Sequence, residues 1–374
     1  MLTQNIIEHI EKWAPPAISW DKDNVGLQIG STKEKVKNIF LCLELTENAL
    51  NEALKKNCNF IFTHHPFLFK PLKKIDITSD PKSQIVEKLI KNNITLFSAH
   101  TNLDFTKDGV SFELAKVLEL ENIKFLVNQD SNQYKVVIFV PQENLEEISQ
   151  SLFDTGAGII GEYEKCSFRL NGTGTFLGSE NTNPKIGEKL KFENVNEVRL
   201  EVIIDSWKLD KVINALKKSH PYEEPAFDIY ELKNSNLNYG YGAIGNLKKS
   251  LNKEDFLNHV SEKLKVENLR YSNFGNQKIN KVAVCGGSGS DLLNAAIKNN
   301  ADAFITADIK YHLFQDAENK ILFVDAGHYE TEINSLNAVK RKLENFVGQN
   351  SDKIKIYKYT GSTNPVKYFN NRRS

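Results

Sequence analysis

Short apolar runs alternate with amphipathic stretches along most of the chain. Residues 38–44 read as a buried strand, and 47–57 follow with helical spacing. Residues 59–63 form a second apolar strand that stops at His64-His65-Pro66, because proline offers no N–H to a ladder. A helix is predicted over 81–92, with Ile85, Leu89 and Ile90 on one side; a strand over 94–98 and a helix near 109–120 come next. The last third repeats the grammar: strand 281–285, helix 290–299, strand 303–306, helix 310–318, strand 321–325, helix 328–347 and strand 354–359. Strands alternating with helices predict an α/β fold with a parallel-type sheet.

The middle differs. Strand 134–140, helix 142–154 and strand 161–168 precede a Gly-rich polar stretch, 171–195, that reads as hairpin and loop. Strand 198–204, helix 208–218 and strand 225–232 complete a second βαβ unit. Two such units in succession suit a ferredoxin-like α+β domain. The simplest parse is a discontinuous α/β domain, 1–126 and 236–374, interrupted by an inserted ferredoxin-like domain, 127–235. Asn234-Ser235-Asn236 and Asn238-Tyr239-Gly240 mark the exit with turn-forming residues.

Composition narrows the partners. The chain has 374 residues, enough for roughly two to three domains. Lys+Arg 48 against Asp+Glu 48 leaves no net charge, which argues against a nucleic-acid partner; only Arg372 and Arg373 form a short basic tail. The four cysteines, Cys42, Cys58, Cys166 and Cys285, are far apart and form no CxxC, so a reducing compartment is expected. The first residues carry charge where a signal peptide needs an apolar core, and no apolar run approaches the ~18 residues of a membrane span. A cytoplasmic globular protein without a membrane partner is the expectation.

Histidine is scarce, eight in all, and its placement is informative. His64-His65 follows one strand, where ligands of open α/β sheets gather. Ala99-His100-Thr101-Asn102-Leu103-Asp104 follows another and ends on a carboxylate, a residue type that turns also favour. After strand 321–325, His328 and Glu332 stand one helical turn apart on one face, a half-site for a transition metal. Three histidines and two carboxylates suffice for two cations. The absence of thiolate disfavours a Cys-zinc or iron–sulfur site, and the donor set suits Zn, Fe or Mn. Asp308, His312 and His100 sit at strand ends beside these and are candidates for proton transfer.

Two further motifs are ambiguous. Gly286-Gly287-Ser288-Gly289 lies between a strand and a helix, as a phosphate-holding turn or merely a tight one. It matches neither a dinucleotide fingerprint nor a Walker A motif. His220-Pro221-Tyr222-Glu223-Glu224-Pro225 looks like a ligand cluster, but two prolines favour a rigid turn.

Five motifs resemble the GTP cyclohydrolase I type 2 homologue (Nif3-like) family: Trp20-Asp21-Lys22-Asp23-Asn24-Val25-Gly26-Leu27-Gln28, Phe62-Thr63-His64-His65-Pro66, Ser98-Ala99-His100-Thr101-Asn102-Leu103-Asp104, Cys285-Gly286-Gly287-Ser288-Gly289 and Gly327-His328-Tyr329-Glu330-Thr331-Glu332. They occur in the family's order, nearly end to end. The resemblance implies a dinuclear metal centre on His64, His65, Asp104, His328 and Glu332, a ring-shaped homohexamer, and a long form in which the His220–Pro225 motif belongs to a central insert. Ala243 stands where many members place Arg.

Two functions follow as expectations. One is a metal-dependent hydrolase of a small nucleotide-like or ring substrate, with Asp104 and Glu332 as bridging carboxylates. The other is a non-catalytic, metal-binding regulatory oligomer that acts through its insert.

Overall fold

Along the central strands of one sheet, burial divides by alternate residues between two cores. The computed structural model describes residues 1–275, 277–350 and 353–369; the Arg372 and Arg373 tail lies outside the described residues. In strand Asn38–Cys42, Ile39 and Leu41 enter one core while Phe40 and Cys42 enter the other. Phe60, Phe62 and Phe97 join the first; Ile61 and Leu96 join the second. Two-sided burial makes these strands read as continuous apolar runs. Helices Thr3–Trp13 and Ser335–Gln349 cover the first face through Ile6, Ile10, Leu336, Val339 and Leu343. Glu47–Lys55 and Pro81–Lys91 cover the second through Leu50, Ala53 and Leu89. Each fully buried Phe or Leu contributes about 1.5–3 kcal/mol.

The chain divides into two compact units, residues 1–127 with 239–374, and residues 128–238. The first holds two sheets where one parallel-type sheet was expected. One has the order Gly26–Ile29, Thr95–Ser98, Phe60–Thr63, Asn38–Cys42, Lys355–Lys358, parallel except for its first, antiparallel edge strand. The other has the order Arg270–Tyr271, Leu322–Asp325, Ala303–Thr306, Ile279–Val284, Asn236–Leu251, Leu120–Gln129. Its middle three strands are parallel, and Arg270–Tyr271 and Asn236–Leu251 add to them antiparallel. Asn236–Leu251 begins where the sequence predicts a turn; its asparagines and glycines carry a turn signature, yet the strand lies between Ile279–Val284 and Leu120–Gln129 in the sheet.

The predicted helix 328–347 is broken into His328–Glu332 and Ser335–Gln349. Thr331 lies one residue before the end of the first piece. Its hydroxyl lies 2.9 Å from the carbonyls of both Gly327 and His328, the back-bonding that bends helices.

In the second unit, four antiparallel strands stand in the order Phe168–Leu177, Phe192–Asp205, Gln133–Pro141, Phe227–Glu231. Helices Leu145–Phe153 and Leu209–Ser219 pack on Val136, Ile138, Val140, Leu200 and Val202. Most of the predicted strand 161–168 is turn and irregular chain. The strand starts at Phe168 and runs with Phe192–Asp205 through much of the predicted loop. Phe168–Leu177 is an edge strand exposed along most of its length, so no period-two pattern announces it. No helix among the described residues is long and apolar enough to cross a membrane.

Candidate metal centre

Strand termini of both sheets in the first unit deliver the site. Phe60–Thr63 leads directly into His64-His65, Thr95–Ser98 leads to His100 and Asp104, and Leu322–Asp325 leads to His328 and Glu332. At each of four histidines, Nδ1 meets an oxygen. His64 Nδ1 lies 2.9 Å from the Ala99 carbonyl, and His65 Nδ1 lies 2.9 Å from Glu44 Oε1. His100 Nδ1 lies 2.9 Å from both Asp23 oxygens, and His328 Nδ1 lies 2.6 Å from Asp308 Oδ2. An acceptor at Nδ1 keeps the proton there. In the neutral ring, Nε2 is then left as a lone pair. This is the support that metal-ligating histidines receive.

The Nε2 atoms converge on carboxylates. His64 Nε2 stands 3.6 Å from Asp104 Oδ1 and 3.7 Å from Glu332 Oε1. His65 Nε2 stands 3.2 Å from Glu332 Oε2, and His328 Nε2 stands 3.1 Å from Glu332 Oε1. His64 Nε2, Asp104 Oδ1 and Glu332 Oε2 are buried and lack hydrogen-bond partners. Polar atoms crowded together in a protein interior without well-formed hydrogen bonds are costly. A cation among them removes the cost, so these residues fit a metal. Two sets of mutually close ligand atoms are present among the described residues: His64, His65 and His100, and His65, His328 and Glu332. His65 belongs to both.

The charges respond to this crowding. Burial and the Glu332 charge hold Asp104 well above the usual carboxylate range. Burial also pushes Glu332 upward, but the imidazoles of His64, His328 and His65 overcome it and hold that carboxyl well below its ordinary value. Burial lowers His64. It works the same way on His65, where hydrogen bonding with Glu332 and Glu44 prevails and raises the imidazolium to about 10. Glu332 raises His328, against burial and with help from Asp308, to about 9. At Asp23, burial is outweighed by His100 and Thr101, which pull the carboxyl down to about 2. Burial pushes the nearby Cys285 thiol up to about 12, so no thiolate joins the donors near neutral pH.

The Gly-rich turn serves this site through close approach. Gly287 has φ +60°, and a Cβ there would collide with Glu332 Oε1 and come within 3.2 Å of His328 Nε2. The backbone donors of its three glycines are already taken. The N–H groups of Gly286, Gly287 and Gly289 donate to Ser111, Thr331 and Thr306 at 3.3, 3.0 and 2.9 Å. A phosphate cradle loses its donors on that count.

The other expected residues part ways. His100 lies beside the cluster, its ring centroid 5.2 Å from that of His64 and 5.3 Å from that of His65. Asp308 reaches the site through His328. It lies ahead of helix Tyr311–Ala317 and so shares no helical face with His312. His312 is exposed, with Nδ1 3.3 Å from Gln315 Oε1, and belongs to neither ligand set. Asp23 and Glu44 were not singled out from sequence. Glu44 carried one signal, its place as the last residue of the predicted strand 38–44.

A mixed α/β protein with a candidate His/Glu metal site is thus defined by fold and geometry. The Duf34/NIF3 (NGG1p interacting factor 3) family model matches residues 1–365, and the chain belongs to that family. It is 36% identical over 367 residues to proteins of Halalkalibacterium halodurans and Bacillus subtilis, each covering 98% of both chains and each named GTP cyclohydrolase 1 type 2 homolog. Among solved structures, a Bacillus cereus protein related to NIF3 matches over 99% of both chains with 36% identity and a TM-score of 0.86. A Staphylococcus aureus protein matches over 99% of both chains with 31% identity and a TM-score of 0.79.

Proposed function

We propose that this protein holds two divalent cations on His64, His65, Asp104, His328 and Glu332 and hydrolyses a small nucleotide-like or ring substrate there. The observation that carries the reading is the buried trio of His64 Nε2, Asp104 Oδ1 and Glu332 Oε2, none of which makes a well-formed hydrogen bond. Glu332 approaches His64 and His328 through one oxygen and His65 through the other, which supports a bridging role. Imidazole and carboxylate donors without thiolate suit Zn, Fe or Mn. When bound, such a pair supplies Lewis acidity toward a polar substrate bond.

The chain's own groups divide the remaining work. His100, backed by Asp23, holds or moves a proton at Nε2. Asp308 orients His328. His312 is left without a part. The βαββαβ order of the second unit and its antiparallel pairing support a ferredoxin-like inserted domain. The family resemblance supports a homohexamer.

A panel of nucleotides and purine-like rings, assayed with metal-loaded protein, tests the catalytic half. Turnover by wild type and its loss in Glu332→Ala is the expected result. Full metal occupancy with no turnover on any member would instead favour the non-catalytic regulatory reading.

A further inference from the structure

The second unit carries a cleft of about 580 Å³, formed entirely by its own residues. That volume falls within the range of small-molecule sites, about 300–1,000 Å³. Phe139, Leu170, Phe176 and Ile186 supply apolar walls. The turn His220–Pro225 supplies another side and is locked in place. His220 Nε2 lies 3.0 Å from the Phe139 carbonyl, and His220 Nδ1 accepts from Tyr222 N–H at 3.2 Å. Both ring nitrogens are thereby used on the backbone, which leaves His220 no metal-binding role. Glu223 Oε1 accepts from Asn183 N–H at 2.8 Å and ties the turn to the 179–187 loop. The cleft is therefore preformed.

Its charges are unevenly answered. Glu197, Glu223 and Glu224 line it against Lys185 and Arg199. Arg199 is already engaged, its Nε donating to Glu201 at 2.9 Å and its guanidinium 5.9 Å from the Phe139 ring centre. Glu201 also takes Lys135 at 2.8 Å. Glu197 has no cation among the described ion pairs. Its carboxylate lies over Gly174, where any Cβ would collide with Oε2 and press on Cδ. The Tyr222 hydroxyl is buried without a well-formed hydrogen bond. Burial and hydrogen bonding with the neighbouring Glu197 carboxylate push that phenol well above its ordinary value. A carboxylate and a phenol oxygen, set in aromatic and aliphatic walls, are the recognition elements of an ammonium group.

We propose that this cleft binds a small primary amine with an apolar or aromatic body. The ammonium donates to Glu197 and to the Tyr222 oxygen, and the body lies along Phe139, Leu170, Phe176 and Ile186. An anion of the same size would meet three carboxylates against Lys185 and an Arg199 already bonded to Glu201. Every residue that lines the cleft belongs to the second unit, and the metal cluster belongs to the first.

Calorimetric titration of the full chain tests this with phenethylamine, 3-phenylpropionate and 2-phenylethanol. Phenethylamine should bind saturably and more tightly than the other two. Glu197→Gln should weaken it at least about tenfold, the loss of one charge-assisted hydrogen bond. Tyr222→Phe should weaken it as well, and His64→Ala should leave it unchanged. Thermal melts establish that both cleft variants are folded, and each tests the site separately. No saturable binding, including exclusion by a second copy seated on the cleft, would overturn the proposal. So would preference for the carboxylate, or unchanged affinity in folded Glu197→Gln and Tyr222→Phe.

Discussion

Asp308 accepts a 2.6 Å hydrogen bond from Nδ1 of His328, from a backbone position at φ +55°. The bond leaves Nε2 of His328 aimed at Glu332, 3.1 Å away. Support of this kind sets ligand orientation and basicity, and its removal commonly costs about 10–100-fold in metal affinity. Asp308→Asn should therefore weaken metal binding about tenfold while the fold is kept. Competition against a chelator of known affinity measures it. Unchanged affinity would mean that His328 needs no such partner.

Gly287 makes a sharper case, because its backbone stands where a side chain would strike Glu332. Gly287→Ala should lower stability by about 1–2 kcal/mol, from the left-handed backbone alone. It should also reduce metal content by displacing the carboxylate. Denaturant unfolding and elemental analysis read the two effects separately. Stability lost with metal retained would show that Glu332 can relax without leaving the site.

Much of this arrangement is legible in the sequence. His64, His65, Asp104, His328 and Glu332 come together because each follows a strand whose apolar run and terminus are plain in the chain. Glu44 and Asp23 are not legible in that way. Neither has a spacing that links it to His65 or His100, and only folding brings Asp23 across 77 positions to its histidine. The split into two sheets is equally hidden. Alternating strands and helices announce parallel strands, but not which ones pair. The antiparallel edges Gly26–Ile29 and Arg270–Tyr271 are too short to carry a pattern. The Gly-rich turn misleads because its shape fits a phosphate cradle, while the N–H groups of Gly286, Gly287 and Gly289 are already bonded to Ser111, Thr331 and Thr306.

Proton linkage gives a further test. Without metal, His65 and His328 are raised from 6.5 to about 10 and about 9. A group whose pKa rises on folding adds stability that is complete below its unfolded value and disappears as pH passes its folded value. Metal-free protein should thus lose this contribution between pH 6.5 and about 10. A metal ligand must be a neutral imidazole, so loading near pH 7.5 should release about two protons per chain from His65 and His328, in addition to any still held on the raised Asp104 carboxyl. Calorimetry in buffers of different ionisation enthalpy counts them. Uptake of protons, or none exchanged, would contradict the assignment of His65 and His328.

If His64, His65, Asp104, His328 and Glu332 hold metal, metal content per chain reports it. Elemental analysis of the purified full chain should find about two divalent ions per wild-type chain, as a two-metal site requires. Variants His64→Ala and Glu332→Ala, each shown to be folded, should be depleted. Wild-type occupancy in both folded variants, or a metal-free wild type that takes up none when offered Zn, Fe or Mn, would contradict the account.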